Sequence, residues 1–259
     1  SIFQKINYIY LKIKMYNKTK ITEAIILAAG FGARMRPLTL TTPKPLVLLK
    51  NKPIIFYILE ELKKNKIKKC FINVHYLSLK IEEYIEEYRK FNNSMEIIII
   101  KEKVILDTGG AIKNIKDKDN NKPIIVINGD SLIIPFKSIS PLSLLIKNYN
   151  VKNMDFLLLL DDFKNSIGYY NKGDFAFSSK NRPSRISRNM NNGLAYTGWQ
   201  ILNPKVTNEV KKNVFSLNFC YDNAIKNNSI WGIINSQKWL HIGTIEALKE
   251  ANTWLENYK

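Results

Sequence analysis

From residue 23 to residue 130, short apolar runs alternate with segments of helical period, and this alternation constrains the fold more than any other feature of the chain. EAIILAAG (23–30) is an uninterrupted apolar run closed by glycine, as a buried strand requires. Ile55, Ile58, Leu59 and Leu62 fall at i, i+3, i+4 and i+7, so 53–66 is expected as an amphipathic helix, followed by a strand over KKCFINV (68–74). The pattern then repeats. Ile81, Tyr84, Ile85 and Tyr88 mark a helix, MEIIIIK (95–101) a strand, Gly110 to Lys116 a short helix, and KPIIVINGD (122–130) a strand ending in an acid. Elements of these lengths in this order make right-handed βαβ units. The expected fold class is α/β, a Rossmann-like, mainly parallel sheet with helices on both faces. Ligands of such sheets bind at the carboxyl ends of the strands.

Beyond about residue 150 the pattern is less regular. FLLLLDD, IGYYNKG, DFAFSSK and AYTGWQIL (195–202) read as strands, and FSLNFCYDNAIKN (215–227) and Thr244 to Leu255 as helices, which predicts a more antiparallel second half. Without a Pro- or Ser-rich linker or an internal repeat, the expected division is an N-terminal extension over 1–21 and one domain over 22–259. Met15 is a candidate natural start within that extension.

Composition narrows the function classes. The formal net charge of +18 invites a nucleic-acid reading, but the lysines are scattered among Asn and Ile, as an A/T-rich coding bias would leave them. No nucleic-acid partner is expected. Cys70 and Cys220 are the only cysteines and lack C-x-x-C spacing, so they read as core residues in a reducing, cytoplasmic setting. Lys12 and Lys14 interrupt the first apolar segment, no run approaches the length of a membrane span, and no membrane association is expected.

LAAGFGARMRPLT (27–39) follows the first strand and carries the chemistry. Gly30 and Gly32 match G-x-G, but Met35 stands where a dinucleotide site has its third glycine, and no G-K-S/T follows for a Walker loop. What remains is a bare backbone turn with Arg34, Arg36 and, within TTPKPL, Lys44, stiffened by Pro37, Pro43 and Pro45. Three cations around such a turn describe a polyphosphate cradle; the alternative is an ordinary βα turn with solvated charges.

LAAGFGARMRPLT with TPKPL resembles the sugar-1-phosphate nucleotidyltransferases. The likeness is strongest to the compact branch that includes N-acetylmuramate 1-phosphate uridylyltransferase and mannose-1-phosphate guanylyltransferase, and it extends through NVHYL, LDTGGAI, NGDS, GDF, FSLN and IGT over residues 22–256. It implies transfer of a nucleoside monophosphate from a nucleoside triphosphate to a sugar 1-phosphate, with pyrophosphate released, by a monomer or homodimer. A sugar 1-phosphate is mostly dianionic at pH 7, because its second pKa is about 6, so it can attack without a protein base. The reaction needs positioning and charge neutralisation. Arg34 would hold the β- and γ-phosphates and Lys44 would sit near the α-phosphate as the two catalytic cations.

Leu27, Ala28 and Ala29 would pack along base and ribose beside Gly30 and Gly32. Thr108, Gly109 and Gly110 open a helix whose backbone amides would reach the base edge, or else form a plain helix cap. Asp130 is a hard oxygen donor suited to Mg²⁺, or else an ordinary loop-capping acid. The family's second metal acid, in W-x-D-x-G-T, is replaced in Trp239-Leu240-His241-Ile242-Gly243-Thr244 by His241, which would bind a metal through water, ligate a softer ion such as Mn²⁺ or Co²⁺, or touch phosphate as a cation. His75 would line the sugar pocket or bond within the scaffold, and Asp174, Gly198 and Asn218 are the sugar-side candidates. Two rival classes stand beside the enzyme: a catalytically silent nucleotide-sugar sensor, with His241 as its one supporting feature, and a nucleic-acid binder resting on charge alone.

Overall fold

The structure is a computed structural model that describes residues 20–120, 122–135, 140–164, 166–189, 191 and 193–258. Met15 and most of the expected extension lie outside the described residues. The elements run β1 (Glu23–Leu27), β2 (Leu48–Leu49), β3 (Lys52–Pro53), α1 (Ile54–Lys64), β4 (Lys69–Val74), α2 (Ser78–Phe91), β5 (Glu96–Lys101), α3 (Asp107–Lys113) and β6 (Ile124–Asn128). They continue with β7 (Ser131–Ile134), α4 (Pro141–Asn148), β8 (Phe156–Asp161), β9 (Phe175–Phe177), β10 (Ser184–Arg188), β11 (Ala195–Leu202), α5 (Lys205–Asn208), α6 (Leu217–Lys226), β12 (Ile230–Ile234), β13 (Lys238–His241) and α7 (Ile245–Asn257).

Nine strands form one sheet in the order β5-β4-β1-β6-β11-β8-β12-β10-β9. The first four pair in parallel throughout, with β1 between β4 and β6. β11 then enters antiparallel between β6 and β8, and β10 is antiparallel to both of its neighbours, whereas β12 runs parallel to β8. The α/β class, the parallel first half and the more antiparallel second half are as the sequence predicts.

The apolar runs are continuous because the sheet is buried on both faces. Ala24, Ile26, Cys70, Ile72, Ile125 and Ile127 point into one core, beneath Ile55, Ile58 and Leu62 of α1 and Ile81 and Ile85 of α2. Ile25, Phe71, Ile124, Val126 and Leu158 point into the other, beneath Ile112 of α3 and Leu217, Cys220 and Tyr221 of α6. Among the described residues no helix is long and apolar enough to cross a membrane.

Two local expectations shift. The short helix expected at 110–116 begins at Asp107, because Phe215 supplies a carbonyl for its first amides. IGYYNKG is not a strand: Gly168 (φ +80°) and Gly173 (φ +99°) leave the extended region, and only Ile167 makes a bridge, to Leu240.

Candidate active site

At the carboxyl ends of β1, β4, β5 and β6 the turn after β1 opens into a cavity of about 460 Å³. Asn73, at the end of β4, accepts the Ala28 N–H at 2.8 Å and so fixes the start of the turn. Gly32 is left-handed (φ +63°), and a β-carbon there would lie 2.9 Å from Thr39 Cγ2, whose hydroxyl donates to Gly32 O at 2.8 Å. Gly32 is therefore needed to fold the turn. At Gly30, by contrast, a β-carbon would meet nothing within 4 Å. The space it leaves opens to the cavity it lines.

The phosphate-side candidates converge. Lys44 is carried on a short 3-10 turn flanked by Pro43 and Pro45, and its Nζ meets Asp130 Oδ2 at 2.5 Å. β13 pairs antiparallel with β7, which sets His241 opposite Ser131, and Ile242 N donates to Asp130 O at 2.8 Å. A β-carbon at Gly243 would sit 3.1 Å from His241 Nε2 and 3.4 Å from Arg34 Nη2, so bare backbone here lets both side chains approach. Burial would push the Asp130 carboxyl up, but Lys44, His241 and Arg34 around it hold it below the ordinary carboxylate range. Burial, together with Lys44 and Arg34, pushes His241 down against the pull of Asp130, so its imidazole is neutral at pH 7. Arg36, the third expected cradle cation, is exposed and does not line the cavity. Of the three expected cradle cations, Arg34 and Lys44 line the cavity.

The opposite end differs from expectation in one respect. The amides of Gly109 and Gly110 both donate to Phe215 O, at 2.9 and 3.1 Å, and neither glycine lines the cavity. A β-carbon at Gly109 would lie 2.3 Å from the Phe215 ring, and one at Gly110 would lie 2.2 Å from Asn213 O. These glycines admit the 213–215 segment, which corrects the idea that their amides face a base. Thr108 does line the cavity, while its Oγ1 accepts from Leu217 N at 2.9 Å.

Sequence reasoning missed Asn73 and Glu102, which line the same end. Asn73 Nδ2 donates to Glu102 Oε1 at 2.8 Å, and Leu106 N donates to Glu102 Oε2 at 3.0 Å. Glu102 thus struts the glycine turn against the start of α3. A polar residue within the apolar run of β4 and an acid directly after β5 were the available signals.

The sugar-side candidates are dispersed. His75 Nδ1 bonds to Glu102 O at 2.8 Å, its ring meets Phe31 edge-on at 5.8 Å, and it does not line this cavity. Asp174 Oδ2 accepts from Tyr196 N at 2.8 Å and Tyr169 Oη at 3.2 Å. Gly198 (φ +83°) sits in an irregularity of β11 and presses on Asn128, a cavity residue. Asn218 is exposed in the first turn of α6, bonded to Arg188, and does not reach the cavity. Leu27, Ala28, Ala29, Gly30 and Gly32 all line it. A second cavity of about 740 Å³, walled by Val210, Phe219 and Cys220, is larger but holds none of the expected site residues.

The family model described as nucleotidyl transferase matches residues 23–160. The N-acetylmuramate alpha-1-phosphate uridylyltransferase of Neisseria meningitidis serogroup B is 31% identical over 238 residues, 88% of this chain and 96% of that protein. A mannose-1-phosphate guanyltransferase of Hypocrea jecorina is 30% identical over 200 residues, 73% of this chain and 51% of that protein. Among solved structures, a UDP-glucose pyrophosphorylase complexed with UDP-glucose superposes with a TM-score of 0.76 at 19% identity, over 93% of this chain and all of that one. This last likeness is one of fold.

Proposed function

Because the chain belongs to the nucleotidyl transferase family, we propose that it is a sugar-1-phosphate nucleotidyltransferase whose substrates are UTP with N-acetylmuramate 1-phosphate or GTP with mannose 1-phosphate. The observation that carries this reading is that Arg34, the Lys44–Asp130 pair and Gly243 line one cavity with Thr108, Asn73 and Glu102, while His241 packs against Gly243 beside Arg34. A sugar-phosphate oxygen attacks the α-phosphorus, a new P–O bond forms, the bond to the β-phosphate bridging oxygen breaks, and pyrophosphate leaves with the electron pair. Arg34 takes the β- and γ-phosphates in a fork. Lys44, with three N–H donors and one spent on Asp130, turns the others toward the α-phosphate.

The protonation states of Asp130 and His241 suit a divalent metal, since the carboxyl is ionised and the imidazole is neutral. These two would hold the ion with substrate oxygens completing its shell, and it would supply further neutralisation of the crowded phosphates. Asp174, with Gly198 beside Asn128, belongs to the sugar side of this reading. A pyrophosphate-release screen of four nucleoside triphosphates against several sugar 1-phosphates tests it. No release with any pair would sink the assignment.

A further inference from the structure

Tyr169 is absorbed by none of the roles above, yet it touches two of the residues that carry them. Ile167 N donates to Trp239 O at 2.9 Å and Ile167 O accepts from His241 N at 2.8 Å, which stitches the segment 167–169 to β13. The approach is close enough that a β-carbon at Gly168 would lie 2.1 Å from His241 O. Only glycine fits, and its φ of +80° turns the chain so that Tyr169 lies over the end of β13. The Tyr169 ring packs against Trp239 at 5.2 Å and meets His241 edge-on at 6.4 Å between centroids. Phe163 closes the far side at 5.2 Å, and Trp239 is itself fixed by a bond from Nε1 to Ser131 Oγ at 2.9 Å. The Tyr169 hydroxyl then donates to Asp174 Oδ2 at 3.2 Å. Burial and the neighbouring carboxylate push the phenol up, so it remains a donor.

Because Tyr169 touches one carboxylate through its hydroxyl and one imidazole through its ring, we propose that it is a positioning residue that holds Asp174 toward the sugar and His241 toward the phosphates. The inference rests on the reading of Asp174 as sugar-side and His241 as phosphate-side. The hydroxyl takes up one direction of Asp174 Oδ2, Tyr196 N takes up another, and together they fix the carboxylate plane. The ring edge limits the rotation of His241. Removing the hydroxyl alone therefore frees the carboxylate without releasing the imidazole.

Tyr169→Phe, Tyr169→Leu and Asp174→Ala are compared with the wild type under steady-state kinetics, using whichever pair is turned over, UTP with N-acetylmuramate 1-phosphate or GTP with mannose 1-phosphate. For Tyr169→Phe we expect KM for the sugar 1-phosphate to rise about tenfold, in line with loss of one hydrogen bond to a charged group, with kcat and KM for the nucleotide within about twofold. Tyr169→Leu should show the same rise and, in addition, a changed ratio of activity with Mn²⁺ to activity with Mg²⁺, because His241 loses its ring contact. Equal losses in both KM values and kcat, accompanied by a lowered Tm, would mean a structural role and overturn the proposal. A raised sugar KM in Asp174→Ala alone would overturn it while leaving the sugar-side reading standing. An unchanged sugar KM in Asp174→Ala would remove both.

Discussion

Lys44→Ala should do two separable things, and the second follows from a contact that the sequence does not announce. Loss of turnover by about 10² to 10³ is expected for any cation stabilising the transferring phosphate. Loss of stability is expected because Lys44 is not a solvated loop charge: its side chain is 14% exposed, that of Asp130 is 20% exposed, and they meet at 2.5 Å. Removing one partner of a fully buried pair costs about 3–5 kcal/mol, while one charge-assisted bond is worth about 1.5–3. Residual exposure and the remaining cation, Arg34, put this case near the lower figure, about 2 kcal/mol and roughly 4–6 °C in Tm. The effect has a pH signature. The folded-state pKa of Asp130 is depressed, so the carboxylate contributes stability that is full above its unfolded value, about 4, and is lost as pH falls through the folded value. The gap between wild type and variant should therefore be full at pH 7 and close in acid. Urea unfolding of the wild type, Lys44→Ala, Asp130→Ala and the double variant at pH 7 gives the coupling directly. A coupling below about 0.5 kcal/mol would show the pair to be energetically idle and refute the reasoning.

Arg34→Ala is expected to lose about 10² to 10³ in kcat/KM with Tm almost unchanged, because Arg34 is exposed; a comparable fall in Tm would contradict the assignment. Gly109→Ala should destabilise the protein by about 1–3 kcal/mol through overpacking against Phe215, with nucleotide and pyrophosphate affinities weakening together; calorimetry showing selective loss of the nucleotide would restore a base-reading role. If His241 ligates the metal, activity with Mn²⁺ should match or exceed that with Mg²⁺, and His241→Asp should shift the preference to Mg²⁺. Because burial depresses its pKa, the imidazole should hold activity through pH 6.5 and lose it only in more acid solution; a pH profile already halved above 6.5 would count against this.

The legible parts of the molecule are those specified by neighbours in sequence. β1, α1, β4, α2, β5 and β6 each carry a complete periodic signal, and the strand-to-loop junctions brought Arg34, Lys44 and Asp130 to one edge. β10 (SRISR) alternates, but its short and strongly charged sequence gives no apolar run, and it is defined by pairing with β12 across more than forty residues. The start of α3 lies earlier than local periodicity predicts because its first amides are satisfied by Phe215, a partner invisible in any local window. IGYYNKG has strand-forming residues, yet its two glycines adopt positive φ to let backbone pass close to β13. In the site, residue types were readable and partnerships were not. Lys44 and Asp130 were each assigned to substrate or metal, whereas 86 residues of separation hid that they bind each other.

The Phe215 carbonyl that receives Gly109 and Gly110 also says where this molecule cannot be divided. The family match ends at residue 160, and a chain cut there would keep the glycine turn, both cradle cations and Asp130. It would lack the 213–215 segment that ties down the first turn of α3 and the strand that brings His241. Two bare glycine amides and the apolar side of α3 would then face water, and the wall carrying Thr108 would have nothing to rest on. The candidate pocket is thus closed by chain that lies beyond the family match, and a fragment ending at residue 160 would contain Arg34, Lys44 and Asp130 without a chamber to hold them.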